Sequence, residues 1–444
     1  MELTRSNGFI KRIYYVLIPL LIFGIIQGYS LFPLCLLALI VLLFSNSRHT
    51  VGVFLIMYGG VFGGVVRSVY PFVPLYGIFL IALGIIMVWD CIKDMIRHKA
   101  RGIYLLLFTL VLFGFFYAIG PRDSFANEKY MTMWIHGFAT LFGYYTLARS
   151  TKIDAEGFIQ ILLVGSISLF SFSITKYSLI PGDFFNYNWF RTQLSVVNHT
   201  EDVLIDHQQL SMIVLYGLAI FLSQTRIKSG LSLFYVLCSF QLIMMSGCRQ
   251  AMLGMVLVVV LRLFFFSEKN LQGHNTIKLI IGLCFALAIA FFIITYMLSN
   301  ISSTMFERTV EEGGDSERQI LYLSALSLFS DNMLLGVGLG GFFNITGNLY
   351  PHNFVLELLC ECGMVGTLIF LAILIAPFLG RRVKLLYVNS SGMFYFLILA
   401  VLVIRVMVSA DLKESIELFS SVAAITSAVR MKAPGKLSIR TSIS

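Results

Sequence analysis

Long uninterrupted apolar runs, separated by short polar or charged breaks, dominate the chain. The runs lack the apolar/polar alternation of half-wet strands, which argues against a transmembrane β-barrel. A helix needs roughly 20 apolar residues to cross the hydrocarbon layer of a bilayer. Fourteen stretches approach that length: 13–29, 30–46, 51–66, 72–89, 102–119, 131–148, 156–175, 207–223, 230–246, 250–266, 279–298, 353–379, 392–409 and 414–430. The pattern predicts an all-α polytopic membrane protein, one domain over 1–444, with about 12–14 transmembrane helices. The first run passes through Gln27 and Tyr29 into the second with no small-residue cleavage pattern, so it is read as a span and not a cleavable signal.

Composition sharpens this picture. Of 444 residues 58% are apolar and 12% charged, with a mean hydropathy of +0.86. Soluble chains carry about a quarter charged residues, so a water-soluble multidomain enzyme is excluded, and so is disorder. Six of the seven cysteines lie in or beside apolar runs and read as small hydrophobes. They form neither a disulfide framework nor metal-ligand spacing.

Charge sets the direction of the spans, because cytoplasmic loops hold an excess of Lys and Arg. The alternate loops around Arg48, Lys93 to Arg101, Arg149, Arg226, Arg262 to Lys278 and Arg381 to Lys384, with both tails, hold 22 of the 32 Lys and Arg residues. The other ten are Arg67, Arg122, Lys129, Lys176, Arg191, Arg249, Arg308, Arg318, Arg405 and Lys413. Both termini are therefore expected in the cytoplasm. The net charge of +9 is mostly this topology signal, and no nucleic-acid partner is needed to explain it.

With that orientation two long segments, 176–206 and 299–352, face outside. The second is too long for a simple connector and is expected to fold back as short helices on the membrane surface. Within it, Ser316 to Tyr322 opens an amphipathic helix capped by Asp315 or Ser316 and carrying Arg318. An arginine beside a bilayer is costly unless it pairs or meets an anion. Arg249, in the turn Gly247-Cys248-Arg249-Gln250, is either a guanidinium fork for phosphate oxygens or a snorkelling residue that caps a helix end. Arg318 has the same choice between an anion and a neighbouring carboxylate. Arg191, flanked by Trp189 and Phe190, is an interfacial anchor or a further phosphate ligand.

In Tyr350-Pro351-His352-Asn353 the proline is expected to open the helix of the 353–379 span and to present His352, a candidate general base, at its outer mouth. Glu357 and Glu361 follow four residues apart, hence on one face. Ionisable residues at such depth are functional candidates. Arg405 either pairs with one of them or sits near the outer end of its own span. The run Gly336-Val337-Gly338-Leu339-Gly340-Gly341 lacks the strand and lysine of a nucleotide loop. It suits a tight loop whose N–H groups approach an anion or another helix closely.

Together these elements resemble the O-antigen ligase and polymerase family of bacterial inner-membrane glycan transferases. The family pattern is a Ser-Arg-small turn before a span, a long external loop with an arginine, Gly-x-Gly, then His-Asn opening a helix that runs into Glu-x-Gly-hydrophobic-hydrophobic-Gly. Here the matching residues are Cys248-Arg249-Gln250, Arg318, Gly336 and Gly338, His352-Asn353, and Glu361 to Gly366, all within 245–370. Cys248 replaces the usual serine and Gln250 the small residue.

The resemblance implies a GT-C-like helical membrane fold and a metal-independent, inverting glycosyltransferase without a cofactor. Its donor would be a glycan on undecaprenyl diphosphate, used at the outer face of the inner membrane, with a chain-length regulator as a further candidate partner. Arg249 and Arg318 would clamp the diphosphate, and His352 would orient or deprotonate the acceptor hydroxyl, or help bind the diphosphate. Arg191, Gly336, Gly338, Asn353 and Glu357 join them as candidate diphosphate- or glycan-binding residues. A polymerase would extend a lipid-linked repeat, whereas a ligase would load lipid A core. A solute transporter is the alternative from another class, and it would break helices and place charges near the bilayer midplane.

Overall fold

The computed structural model describes residues 48–49, 51–57, 76–98, 100–149, 207–222, 239, 243, 249–265, 316–375, 390–408 and 411–431. Regular structure among them is entirely helical. The helices are α1 (Tyr76–Met87), α2 (Trp89–Arg97), α3 (Arg101–Ile119), α4 (Ser124–Arg149), α5 (His207–Leu222), α6 (Arg249–Phe265), α7 (Ser316–Asp331), α8 (Gly341–Thr346), α9 (Phe354–Ile375), α10 (Ser390–Val408) and α11 (Leu412–Met431). The expected spans at 13–29, 30–46, 156–175 and 279–298, and the external segment 176–206, lie outside the described residues.

Where both can be compared, the apolar runs fold as helices with shifted ends. α4 starts seven residues before its expected span, because Ser124 to Tyr130 continue the helix as a polar first two turns. Within the 72–89 run α1 ends at Met87, and from Trp89 a short amphipathic α2 follows, whose Asp90, Lys93, Asp94 and Arg97 lie beyond the expected span and do not suit hydrocarbon. α3 and α9 are long and apolar enough to cross a membrane.

α11 is the hub of the bundle and packs against α3, α4, α9 and α10. Lipid gives helices little hydrophobic reason to associate, so close packing and hydrogen bonds between small residues must do more. Gly102 shows this. Its N–H donates to Ser427 Oγ at 2.9 Å, and a Cβ there would stand 2.0 Å from the Ala423 carbonyl oxygen. Farther along, Phe113 stacks on Phe370 with centroids 4.1 Å apart, and Phe419 meets both edge-on. These three fully buried rings lock α3, α9 and α11 together.

Side-chain bonds sort the two ends of the bundle. Tyr145 donates to Asp94 and Gly102 to Ser427 at one end. At the other, Asn344 donates to Asp123, Phe125 stacks on Phe343, and Asn353 donates to the Met407 carbonyl. Lys129 and Tyr145, which belong to opposite ends, are sixteen residues apart on α4, about 24 Å at 1.5 Å per residue.

Candidate functional site

α9 is the element around which the site is built, and it is broken. Gly363 has φ 64° and ψ −171° inside it, a conformation open essentially to glycine alone. The break removes the bonds that Met364 and Val365 would make to the carbonyls of Cys360 and Glu361. All four groups find partners in one loop. Met364 N–H donates to the Met333 carbonyl at 2.8 Å and Val365 N–H to Leu334 at 3.2 Å, while Val337 and Gly338 N–H donate to the Cys360 and Glu361 carbonyls at 2.8 and 2.9 Å. Backbone groups withdrawn from water must find partners within the protein, and here the 333–338 loop supplies them.

That arrangement explains the glycine run. A Cβ on Gly336 would fall 2.5 Å from the Glu361 carbonyl carbon, and one on Gly338 2.3 Å from the Cα of Gly120. Gly336 N–H also bonds internally, to the Asn332 carbonyl at 2.9 Å. Of the two uses open to this loop, close approach to a helix is the one the geometry displays. The N–H groups of Gly336 and Gly338 are engaged within the protein.

At the head of α9 the proline expectation is corrected. Pro351 precedes the helix, which starts at Phe354 with Asn353 as its cap: Asn353 Oδ1 accepts from Val355 N–H at 3.0 Å and Leu356 N–H at 3.1 Å. Asn outranks Pro here because its side chain satisfies orphan N–H groups that Pro cannot reach. Asn353 Nδ2 donates to the Met407 carbonyl at 3.2 Å, so both ends of this side chain are bonded within the protein. His352, just before the cap, has φ 55° and a half-buried ring 4.4 Å from that of Tyr350. Left-handed backbone at a non-glycine residue is uncommon and concentrates at functional sites.

Below the cap, Glu357 and Glu361 do lie on one face, and what they meet is Lys129 of α4. Its Nζ donates to Glu357 Oε1 at 2.6 Å and to Glu361 Oε1 and Oε2 at 3.0 and 2.9 Å. None of the three side chains is more than 1% exposed, and Glu357 Oε2 has no hydrogen-bond partner among the described residues. Sequence reasoning had Lys129 only as one of ten external cations. The signal was present nonetheless: two buried carboxylates need a cation, and Lys129 stands two residues before an expected span.

Arg405 does not pair with either of these glutamates, because Lys129 holds both. It bonds Glu417 at 2.7 Å and Glu414 at 3.0 Å, across from α10 to α11, while Tyr144 also donates to Glu417 at 2.7 Å. Arg405 lies in the last turn of α10, near one end of that helix.

Arg318 lies in the first turn of α7 with a half-buried side chain. α7 packs on α9 through Ala325, Cys360 and Phe342, with Leu321, Leu328 and Leu356 against them. Arg249 is the first residue of α6, the point where the sequence expected a turn to give way to a span. Arg191 lies outside the described residues. Among the described residues His49, Asp90 and Cys91 offer three potential metal ligands close together. They sit at the other end of the bundle, and Asp90 already bonds His49 at 2.9 Å and Arg48 at 3.0 Å.

Likeness to known proteins bears on this same stretch of chain. No curated protein and no solved structure matches it. Residues 234–371, roughly a third of the chain, match the family model described as O-antigen ligase, and this stretch includes α6, α7, the glycine loop and nearly all of α9. Through that segment, which contains Arg249, Arg318 and His352, the chain is similar to the O-antigen ligase family.

Proposed function

We propose that this protein is a polytopic glycosyltransferase of the bacterial inner membrane, with both termini cytoplasmic, that polymerises surface polysaccharide. It would transfer a glycan from undecaprenyl diphosphate to a lipid-linked repeat unit at the outer face of the membrane. The observation that carries this reading is the family match over 234–371, with Arg249, Arg318 and His352 in the expected order inside it.

In the proposed reaction the leaving group is a diphosphate, whose growing charge must be met. Arg249 and Arg318 supply guanidinium forks for its oxygens, with Arg191 as a third, and no metal is required. His352 orients or deprotonates the acceptor hydroxyl, which attacks the anomeric carbon with inversion. Two features of the fold support these roles. The loop 333–338 and the α7–α9 packing tie the helix that carries Arg318 to the helix that follows His352, and His352 has left-handed backbone just before the cap of that helix. Glu357 is better placed as a support beneath His352 than as a substrate ligand, since its side chain is fully buried with Oε1 held by Lys129.

The matched family is described as a ligase, so transfer to lipid A core is the second reading. A deletion strain complemented with alanine variants tests both the site and the acceptor. Surface polysaccharide resolved on a gel should collapse to a single-repeat band if a polymerase is lost and to bare core if a ligase is lost. Full-length chains from a strain carrying Arg249→Ala or His352→Ala would remove that residue from the site. The transport alternative expects a broken helix beside buried charge, and α9 has one. The freed backbone groups, however, bond to the 333–338 loop and do not offer themselves to a solute.

A further inference from the structure

One lysine serving two carboxylates in a closed site is a poor source of stability. The desolvation of three ionisable groups offsets most of their attraction, and well-packed apolar residues would do as well or better. The place of the cluster is more informative. Because α9 breaks at Gly363, its outer half, 354–362, does not inherit its orientation from the inner half through a continuous helix. Other elements hold it. The Met407 carbonyl takes Asn353 Nδ2, and the 333–338 loop takes the Cys360 and Glu361 carbonyls. Lys129 adds a side-chain tie to α4, and α4 packs along the hub helix α11.

Glu357 and Glu361 lie one turn apart on one face, so a single cation gripping both fixes the roll of this half-helix about its axis. Roll decides the direction in which residues 352 and 353 leave the helix. We propose that Lys129 is a positioning residue: by gripping Glu357 and Glu361 it sets the roll of the outer half of α9 and so aims His352 at the acceptor. This rests on the role given to His352 above.

The test uses the full-length protein, reconstituted in liposomes with lipid-linked repeat units. Lys129→Met alone leaves two carboxylates buried without a cation and is expected to accumulate poorly. The informative variant is Lys129→Met combined with Glu357→Leu and Glu361→Leu, which removes every charge of the cluster. It should accumulate like wild type, yet lose roughly ten- to hundredfold in kcat, as misplacement of a reacting group does. KM for the donor should stay within about twofold, because the arginines on α6 and α7 are untouched. Lys129→Arg, which keeps a cation facing both glutamates, should retain much more of kcat than the triple variant. A triple variant with wild-type kcat overturns the inference. So does one that fails to accumulate, since the cluster would then be a requirement of folding and not of aim. His352→Ala in the same assay separates the two levels: if it is fully active the role of His352 fails, whereas an inactive His352→Ala beside an active triple variant removes Lys129 alone.

Discussion

Replacing Gly363 by alanine sets two conformations of α9 against each other. If the break is kept, the new Cβ lies 2.4 Å from the carbonyl group of Leu334, and the residue is forced into backbone space that costs about 1–3 kcal/mol for a non-glycine. If α9 straightens instead, alanine gains about 1 kcal/mol of helix propensity over glycine. Straightening, however, returns the Met364 and Val365 N–H groups to the Cys360 and Glu361 carbonyls. The Met333 and Leu334 carbonyls and the Val337 and Gly338 N–H groups are then left without the partners they now have. Each orphaned group costs about 1–3 kcal/mol, so either route loses more than it gains, by upward of about 3 kcal/mol. Gly347 is the control. It has φ 71°, but nothing lies within 4 Å of where an added methyl would stand, so alanine there costs only the left-handed backbone, about 1–2 kcal/mol. Thermal unfolding of the detergent-purified variants, followed by tryptophan fluorescence, compares them. Gly363→Ala should melt clearly below Gly347→Ala, and an equal or higher melting temperature would refute the account of α9 as a helix broken in order to bind the 333–338 loop.

Asn353→Ala removes both the cap of α9 and the bond to the Met407 carbonyl, at a cost of about 1–2 kcal/mol. Asn353→Asp keeps the cap and loses only the bond, so unfolding experiments should rank it between alanine and wild type. Burial raises the Asp90 carboxyl, but hydrogen bonds from His49 and Arg48 more than reverse this and hold its pKa at about 2, below the ordinary 3.8. A depressed carboxylate contributes stability above its unfolded pKa and loses it as pH falls through the folded one. The contribution of Asp90 should therefore be intact at neutral pH and fade between 3.8 and about 2. Because the Asp90 carboxylate is half-exposed, Asp90→Asn should cost no more than about 1 kcal/mol at pH 7, measured by the same unfolding assay.

Much of the helical architecture was legible because its cause is local. A run of some twenty apolar residues has few options in a bilayer, and α3, α6, α10 and α11 begin or end within about two residues of the predicted limits. The family motif was legible for a similar reason, since Arg249, Arg318, His352 and the glycines occur in a fixed order along the one stretch that the family model matches. Pro351 misled because rigid φ is only one way to start a helix, and the neighbouring Asn353 could also satisfy its N–H groups. The glycine loop could be assigned no partner from sequence, because an N–H group reads the same whether it faces an anion or a carbonyl more than twenty residues away.

The sequence by itself therefore determined what is periodic or contiguous: helices of spanning length, a bias of basic loops, and the ordered motif. Tertiary structure alone decided the break at Gly363 closed by residues 333–338, Lys129 as partner of Glu357 and Glu361, and Arg405 as partner of Glu414 and Glu417. The reason is physical. Spanning a bilayer depends on the solvent around each segment and can be read one segment at a time. Which cation neutralises which carboxylate depends on distances between residues such as 129 and 357, 228 positions apart, which packing fixes only after the helices have formed.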